Sequence, residues 1–311
     1  MEIKISVVAT LYFSERHLRE FCTRIQRVLL PITAEYEIIF VNDGSPDHSD
    51  ITVLALQQED PRIVLVDLSR NFGHHQAIMA GLEQAKGEYV FLIDVDLEEA
   101  PELLLEFWTK IISDEKIDVI FGVQEKRKGR LFEKMSGAIF YKILNSITHF
   151  KYPINTLTAR LMKKCYVQSV LQYKEKAIDI WAIFILVGFN QVGVAAEKKY
   201  KGTTTYTFMR KLAMSIEIIT SFSHRPLYLI FVVGMIWLFL STLNVFLILI
   251  NKFFYETPIE GWTSIMASIW LIGGIIIFFV GIVSIYLSKM FLEIKNRPLS
   301  IIKSIFRKEK E

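Results

Sequence analysis

The chain has 311 residues, which is enough for one domain of ordinary size and an additional segment. Its hydrophobic fraction of 52% and its mean hydropathy of +0.34 are too high for a purely soluble protein. The net charge of +3, without a Lys/Arg block before residue 200, and the two distant cysteines exclude a nucleic-acid-binding surface, a disulfide framework and a zinc site.

Residues 3 to about 122 alternate strand and helix patterns, which predicts βαβ units and a mostly parallel sheet. No secretory leader precedes the first of these strands, so we expect the N-terminal part to be cytoplasmic. The predicted strands are Ile3–Ala9, Glu37–Val41, Ile63–Asp67, Tyr89–Ile93 and Asp118–Gly122. The predicted helices cover residues 15–30, 51–58 and 76–85, and a further helix begins near Pro101.

The predicted strand Tyr89–Ile93 is followed by two carboxylates, Asp94 and Asp96. Its apolar run is typical of a strand that is buried on both faces, and the carboxyl ends of such strands form the ligand crevice of an open α/β sheet. Two hard oxygen donors at one point suit Mg²⁺ or Mn²⁺, whose other ligands are usually substrate phosphates and water. Solvated loop acids are the alternative interpretation of the pair.

Two more polar loops follow strands of the predicted sheet, at Asn42–Ser45 and Ser69–Gly73. In the same crevice, Arg70 is a candidate ligand for phosphate, and Asp43 is a candidate acceptor for a base or a ribose. The chain has neither GxGxxG after its first strand nor GxxxxGK[ST] anywhere, which argues against a dinucleotide oxidoreductase and a P-loop NTPase.

Three ordered motifs resemble those of inverting family 2 glycosyltransferases, in the branch that contains the polyprenyl-phosphate glycosyltransferases. They are Ile39–Ser45, Leu68–His74, and Ile93–Leu97 with Pro101-Glu102. The resemblance implies a Rossmann-like GT-A domain over residues 1–206, with Asp94 and Asp96 as catalytic metal ligands. It also implies a nucleotide-sugar site formed by Thr10, Tyr12, Glu15, Asp43, Arg70, Asp94 and Val95.

The chain departs from the family pattern mostly in the half expected to bind the acceptor. Only Tyr12 and Glu15 remain of the usual Pro-Val-Tyr-Asn-Glu motif after the first strand, and Thr158 stands where the family places an acid before Arg160-Leu161. The candidate ligands for an acceptor phosphate are Arg127, Arg160 and Lys199, with Arg160 also expected to be catalytic. An ordinary surface charge is the alternative for each of them.

Two stretches have the apolar spacing of amphipathic helices. Residues 130–149, with lysines and arginines on or beside them, are either a core helix with a solvated face or a helix in the membrane interface. The juxtamembrane segment 207–226 repeats the pattern directly before a long apolar run. For this segment we expect the membrane interface.

The C-terminal part contains two charge-free runs, at 227–250 and 265–287, within residues 227–288. Each is long enough to cross a hydrocarbon core of about 30 Å as a helix, which predicts a two-helix transmembrane hairpin, with a buried soluble hairpin as the alternative. Positive charge flanks both outer ends, including the basic tail 289–311, and is nearly missing from the connecting loop. We therefore expect a multi-pass membrane protein with both termini cytoplasmic.

These features together predict inverting transfer of a sugar, from a UDP-sugar by default, to a polyprenyl phosphate such as undecaprenyl or dolichyl phosphate, for glycan or O-antigen modification. A phosphate acceptor is largely ionised at neutral pH, so it needs no general base. One rival is a transferase that extends a lipid-linked glycan with Glu175 or Asp179 as base. Another is an inactive membrane scaffold, and a homo-oligomer is left open.

Overall fold

The computed structural model describes residues 3–124, 155–175, 179–198, 225–255 and 261–308. The chain divides into two compact units. The sheet unit comprises Met1–Lys142, Phe150–Thr205 and Arg297–Glu311, and the helical unit comprises Ile143–His149 and Tyr206–Asn296. The predicted helix at 130–149 lies outside the described residues, as does the juxtamembrane segment up to residue 224.

The sheet unit is built on one eight-stranded sheet in the order β7-β5-β6-β4-β1-β2-β3-β8. Its strands are β1 (Ile5–Leu11), β2 (Tyr36–Asn42), β3 (Ile63–Leu68), β4 (Tyr89–Leu92), β5 (Val119–Val123), β6 (Thr156–Lys163), β7 (Gln191–Ala195) and β8 (Ile302–Phe306). β1 pairs in parallel with β2 and β4, β2 with β3, and β5 with β7, whereas β6 and β8 are antiparallel to their neighbours. The predicted α/β class and mostly parallel sheet are confirmed.

Helices cover both faces of the sheet. They are α1 (Glu15–Leu29), α2 (Ser49–Glu59), α3 (His74–Gln84), α4 (Leu103–Ser113), α5 (Lys164–Val170) and α6 (Ile180–Leu186). The apolar sides of α1, α2 and α4 pack on one face of the sheet, and those of α3, α5 and α6 pack on the other. β1 and β2 are buried along almost their whole length, because apolar side chains from both of their faces enter these two layers.

The predicted strands of the N-terminal part agree with β1–β5 to within about two residues at each end. The sequence did not predict β6, β7 or β8. β8 lies within residues 289–311, which were interpreted only as a basic tail, so this part of the chain includes a strand of the sheet.

β8 is held against β3 by more than its backbone pairing. The Arg307 guanidinium donates to the Glu37 carboxylate at 2.5 Å, and the side chain of Glu37 is 3% exposed. Ser6 Oγ and the backbone N–H of Lys86 also donate to this carboxylate. A buried carboxylate needs such partners, so we expect removal of Arg307 to weaken the sheet edge.

The helical unit contains two long helices, α7 (Arg225–Tyr255) and α8 (Trp262–Ile294). In the part of the chain that the structure describes, one stretch is long and apolar enough to cross a membrane, Leu271–Ile294 in α8, with a mean hydropathy of 2.5. A shorter apolar stretch, Leu227–Trp237, lies in α7. The predicted hairpin of two membrane spans therefore stays a prediction.

Gly81 allows α3 to lie close to β1 and β2. A Cβ at this position would lie 2.5 Å from Val8 Cγ1 and 2.8 Å from Val41 Cγ2. In an exposed helix, glycine to alanine gains about 1 kcal/mol. Here we expect Gly81→Ala to lower the free energy of unfolding by about 1–3 kcal/mol, because two stiff β-branched side chains must move.

Chemical unfolding of the detergent-solubilised protein measures this change. Glu83→Ala, an exposed substitution in the same helix, is the matched control and should stay within about 0.5 kcal/mol of the wild type. A Gly81→Ala variant as stable as the wild type would contradict the close packing.

Candidate active site

Polar residues gather at the edge of the sheet where β1, β2, β3 and β4 end. β6 runs antiparallel to β4, so the first residues of β6 lie at the same edge. The predicted site residues Thr10, Asp43 and Asp94 all come from these strand ends. The edge therefore brings together the two halves of the predicted site, from loops that are far apart in sequence.

The carboxylate of Asp43 joins the loop after β2 to the loop after β3. Its Oδ1 accepts the backbone N–H of Phe72 at 2.7 Å, and its Oδ2 accepts the backbone N–H of Gly73 at 3.0 Å. Asp43 is 2% exposed, and this burial raises the pKa of its carboxyl group although the two N–H donors oppose the shift. Asp43 thus fixes the loop Ser69–Gly73, and its contact with a base or ribose stays a prediction.

Gly44 lets these two loops approach each other. Its φ is +59°, and a Cβ on it would lie 2.5 Å from the backbone nitrogen of Asn71 and 2.7 Å from the carbonyl carbon of Arg70. Only glycine combines this conformation with such a close backbone approach.

The other residues predicted to bind the nucleotide sugar differ in how accessible they are. Arg70 is exposed, and its guanidinium lies 4.0 Å from the centre of the Phe72 ring, so its contact with a phosphate stays a prediction. Tyr12 is 52% exposed. Glu15 begins α1 and accepts the backbone N–H of His48 at 3.3 Å, whereas the side chain of Val95 is buried. Val95 can therefore contact a ligand through its backbone only.

Asp94 is held from two sides. Thr158 Oγ1, from β6, donates to Asp94 Oδ2 at 2.7 Å. His74 Nε2, at the start of α3, lies 3.7 Å from Asp94 Oδ1, and His74 Nδ1 lies 3.1 Å from Thr10 Oγ1. Thr158 and His74 therefore set the orientation of Asp94, a role that the sequence alone did not assign to either of them.

The two carboxylates after β4 fit a divalent metal bound together with a substrate. Asp94 and Asp96 are both partly exposed, and Asp96 Oδ1 accepts the backbone N–H of Glu98 at 2.9 Å. Within the described ranges, no group of three or more His, Cys, Asp or Glu side chains could hold a metal ion. This donor set suits Mg²⁺ or Mn²⁺, which take one or two carboxylates and complete their shell with phosphate and water.

Glu99 is a buried carboxylate that holds the start of β6 next to Asp94. Its carboxylate accepts the backbone N–H of Thr158 at 3.0 Å and that of Ala159 at 2.7 Å, so it fixes the part of β6 that carries Thr158. Burial, and secondly the charge of Asp94, raises the pKa of Glu99 to about 7. Lys198 Nζ lies 3.1 Å from Glu98 and 3.9 Å from Glu99. In the sequence, the signal for this network is the pair Glu98 and Glu99, which follows Asp96 after Leu97.

Of the three predicted acceptor ligands, the structure describes Arg160. Arg160 is 3% exposed, its guanidinium lies 3.7 Å from the Phe184 ring centre and 4.9 Å from that of Trp181, and burial lowers its pKa to about 10. Its Nε has no hydrogen-bond partner among the described residues. The guanidinium is thus packed against two aromatic rings, and its contact with a phosphate stays a prediction. Arg127 and Lys199 lie outside the described residues.

The two acids considered as a general base, Glu175 and Asp179, lie in the chain just before α6. Asp179 is the N-cap of α6, where its carboxylate accepts the backbone N–H of Trp181 at 3.1 Å. Glu175 lies in the described segment before it. The capping contact gives Asp179 a structural role.

Comparisons with known proteins identify the family of this chain. The family described as Glycosyl transferase family 2 matches residues 6–171. A Mycobacterium tuberculosis protein with a glycosyltransferase name is 42% identical over 98% of this chain and 89% of its own length. The SfII prophage-derived bactoprenol glucosyl transferase of Shigella flexneri is 30% identical over 98% of this chain and 99% of its own.

A solved structure, the mannosyltransferase PcManGT of Pyrobaculum calidifontis in complex with GDP-Man and Mn²⁺, is also similar. Its TM-score is 0.49 and its sequence identity is 14%. The match covers 70% of this chain and 63% of that structure's chain.

The buried carboxyl of Glu99 predicts a pH dependence of stability. Its pKa rises from 4.5 to about 7 on folding, so the folded state holds more protons between these values. The stability that Glu99 contributes is therefore complete below about pH 4.5 and is lost as the pH rises to about 7. We expect the melting temperature of Glu99→Gln to fall less between pH 5 and pH 7 than that of the wild type.

Thermal unfolding at pH 5, 6, 7 and 8 measures this difference in slope. Glu106→Gln, an exposed substitution in α4, should keep the wild-type slope. Parallel curves for the wild type and Glu99→Gln would show that Glu99 does not titrate in this range.

Proposed function

Because the chain belongs to glycosyl transferase family 2 and has a GT-A sheet, we propose that it transfers a sugar from a nucleotide sugar to a polyprenyl phosphate, with inversion, at the cytoplasmic face of a membrane. A UDP-sugar is the default donor. The observation that carries the proposal is at the sheet edge, where Asp94, the first of the two carboxylates after β4, accepts a hydrogen bond from Thr158. Thr158 is a hydroxyl at the position where the family places an acid.

The donor half of the proposal is supported by the two loops that Asp43 joins. They place the exposed cation of Arg70 at the same edge as Asp94 and Asp96, which suits a nucleoside diphosphate. Asp94 and Asp96 would hold Mg²⁺ or Mn²⁺ against the diphosphate. When bound, such a cation stabilises the negative charge that develops on the departing diphosphate.

The acceptor half is supported by the chemistry of Thr158. A hydroxyl that donates to Asp94 is not a base, so an acceptor that has to lose a proton would find no base at this position. A phosphate monoester is already largely ionised at neutral pH and can attack the sugar directly. This chain resembles proteins that are named bactoprenol glucosyl transferases, and bactoprenol is a polyprenol.

Cations are needed to position such an acceptor and to offset the loss of its hydration. Arg127, Arg160 and Lys199 remain our candidates, although Arg160 is buried. Lys198, next to Lys199, already lies beside Glu98 and Glu99 at the site. Undecaprenyl or dolichyl phosphate would bring the phosphate, and the membrane would hold the lipid tail.

The order of the chain supports a membrane hairpin with two spans. Apart from Ile143–His149, the residues before 206 belong to the same compact unit as those after 296, which favours an even number of membrane crossings between them. Leu271–Ile294 would provide one crossing, and α7, with 31 residues, would provide the other. The basic residues outside the pair favour cytoplasmic termini and a cytoplasmic catalytic sheet.

Membranes that contain the protein should convert one of a panel of radiolabelled nucleotide sugars into a lipid-soluble product when polyprenyl phosphate is added. Asp96→Asn should bind nucleotide and Mn²⁺ poorly and should lose at least about a hundredfold in rate, because the diphosphate loses its cation. Excess EDTA should have the same effect on the wild type.

Transfer to a lipid-linked sugar hydroxyl, with polyprenyl phosphate ignored, would refute the acceptor and would make Glu175 and Asp179 the residues to test as base. Absence of both nucleotide binding and transfer would favour the inactive scaffold. Full activity of Asp96→Asn, or full activity of the wild type in excess EDTA, would refute the assignment of Asp94 and Asp96 as metal ligands.

The two-span topology predicts that residues 251–264 face the outside. In a background without Cys22 and Cys165, a cysteine at Thr257 should react with an impermeant thiol reagent in intact cells. A cysteine at Lys308 should react only after the cells are opened. The reverse pattern would invert the topology, and labelling of both positions in intact cells would contradict a hairpin.

A further inference from the structure

The strand β8 contacts the loop that we propose to bind the donor. The backbone N–H of Ser69, the first residue of the loop Ser69–Gly73, donates to the carbonyl of Ile301 at 2.9 Å. Ile302 pairs with Leu68, and the register shifts between Asp67 and Leu68. The loop therefore begins at a point fixed by residues that follow α8.

A side-chain path leads from β8 to the second donor loop. Lys303 Nζ donates to Asp67 Oδ2 at 3.2 Å, and Asp67 Oδ1 accepts from Asn42 Nδ2 at 2.8 Å. Asn42 Oδ1 in turn accepts the backbone N–H of Ser45 at 3.0 Å. The side chain of Asp67 is 14% exposed, so its charge is partly desolvated, and Lys303 is the cation that compensates it.

The far end of β8 is anchored independently of this path. Arg307 pairs with the buried Glu37, and Gln57 Nε2 donates to the carbonyl of Phe306 at 2.8 Å. Lys308 Nζ donates to Gln58 Oε1 at 2.7 Å. The contacts of Arg307 and Phe306 keep β8 in register, so a change at Lys303 or at the exposed Lys308 should leave the strand in place.

We propose that Lys303 is a positioning residue for the nucleotide sugar, acting from β8 through Asp67 and Asn42 on the loop Asn42–Ser45. The inference rests on the proposed donor site and adds to it a residue outside the family motifs. It also gives the chain after the membrane helices a part in donor binding.

Lys303 acts on the orientation of the Asn42 side chain. With Lys303 present, the Asp67 carboxylate is held between a cation and the Asn42 amide, which fixes the side of the amide that faces Ser45. Without Lys303, a largely buried carboxylate is left with fewer partners, so Asp67 turns toward water. This change loosens Asn42 and the loop that it orders.

The test compares Lys303→Met, Lys303→Arg and the matched control Lys308→Met in the full-length, detergent-solubilised protein. UDP affinity is measured by calorimetry in Mn²⁺, and KM for the donor, KM for the acceptor and kcat are measured separately. An exposed ion pair contributes up to about 1 kcal/mol, so we expect Lys303→Met to weaken UDP binding and raise the donor KM about three- to fivefold.

The acceptor KM and kcat of Lys303→Met should stay within about twofold of the wild type. Lys303→Arg should restore UDP affinity, because a guanidinium also pairs with a carboxylate. Lys308→Met should match the wild type, because its partner Gln58 is uncharged and belongs to α2.

Asp67→Asn separates this path from a general effect of charge. If Lys303 acts through Asp67, then Lys303→Met should cause no further loss of UDP affinity in an Asp67→Asn background. Additive losses would overturn the inference, as would a Lys303→Met variant that matches Lys308→Met or that loses kcat alone. A wild type that binds neither UDP nor GDP would overturn the proposed function, and this inference with it.

Discussion

The buried carboxylate of Asp43 is the interaction on which the donor side of this site depends. It has two backbone N–H partners in another loop, so the loops after β2 and β3 form one structure. Gly44 makes the close approach feasible, since any Cβ would meet the backbone of Asn71. Burial of Asp43 penalises its charge, and the two N–H groups compensate it only while both loops keep their places.

The strands that the sequence predicts well are those whose signal is local. β1 to β4 are short apolar runs buried on both faces, and their composition alone distinguishes them. β6 and β8 contain Thr, Arg, Lys and Ser, and they become strands because a neighbour far away in sequence offers a free edge. Such non-local pairing leaves little trace in the residues themselves.

The site shows the same division. The motifs identify Asp94 and Asp96, because their chemistry and their position after a strand are visible in the sequence. They do not show that Thr158 and His74 orient Asp94, or that Glu99 holds the backbone of β6. Arg160 is the converse: its charge makes it a candidate phosphate ligand, whereas its guanidinium packs against the rings of Trp181 and Phe184. Residue type can be carried over from a family, whereas burial depends on each chain's own packing.

The place of β8 in the chain has a consequence for biosynthesis. β3 is an open strand edge, and Glu37 lacks its guanidinium partner, until the ribosome has made both long helices and the residues after them. The nascent sheet unit is thus incomplete until then, and an exposed strand edge is a surface on which unfinished chains aggregate. Closure of that edge therefore comes last in synthesis, and a chain that stops before β8 leaves this side of β3 unpaired and Glu37 without its guanidinium partner.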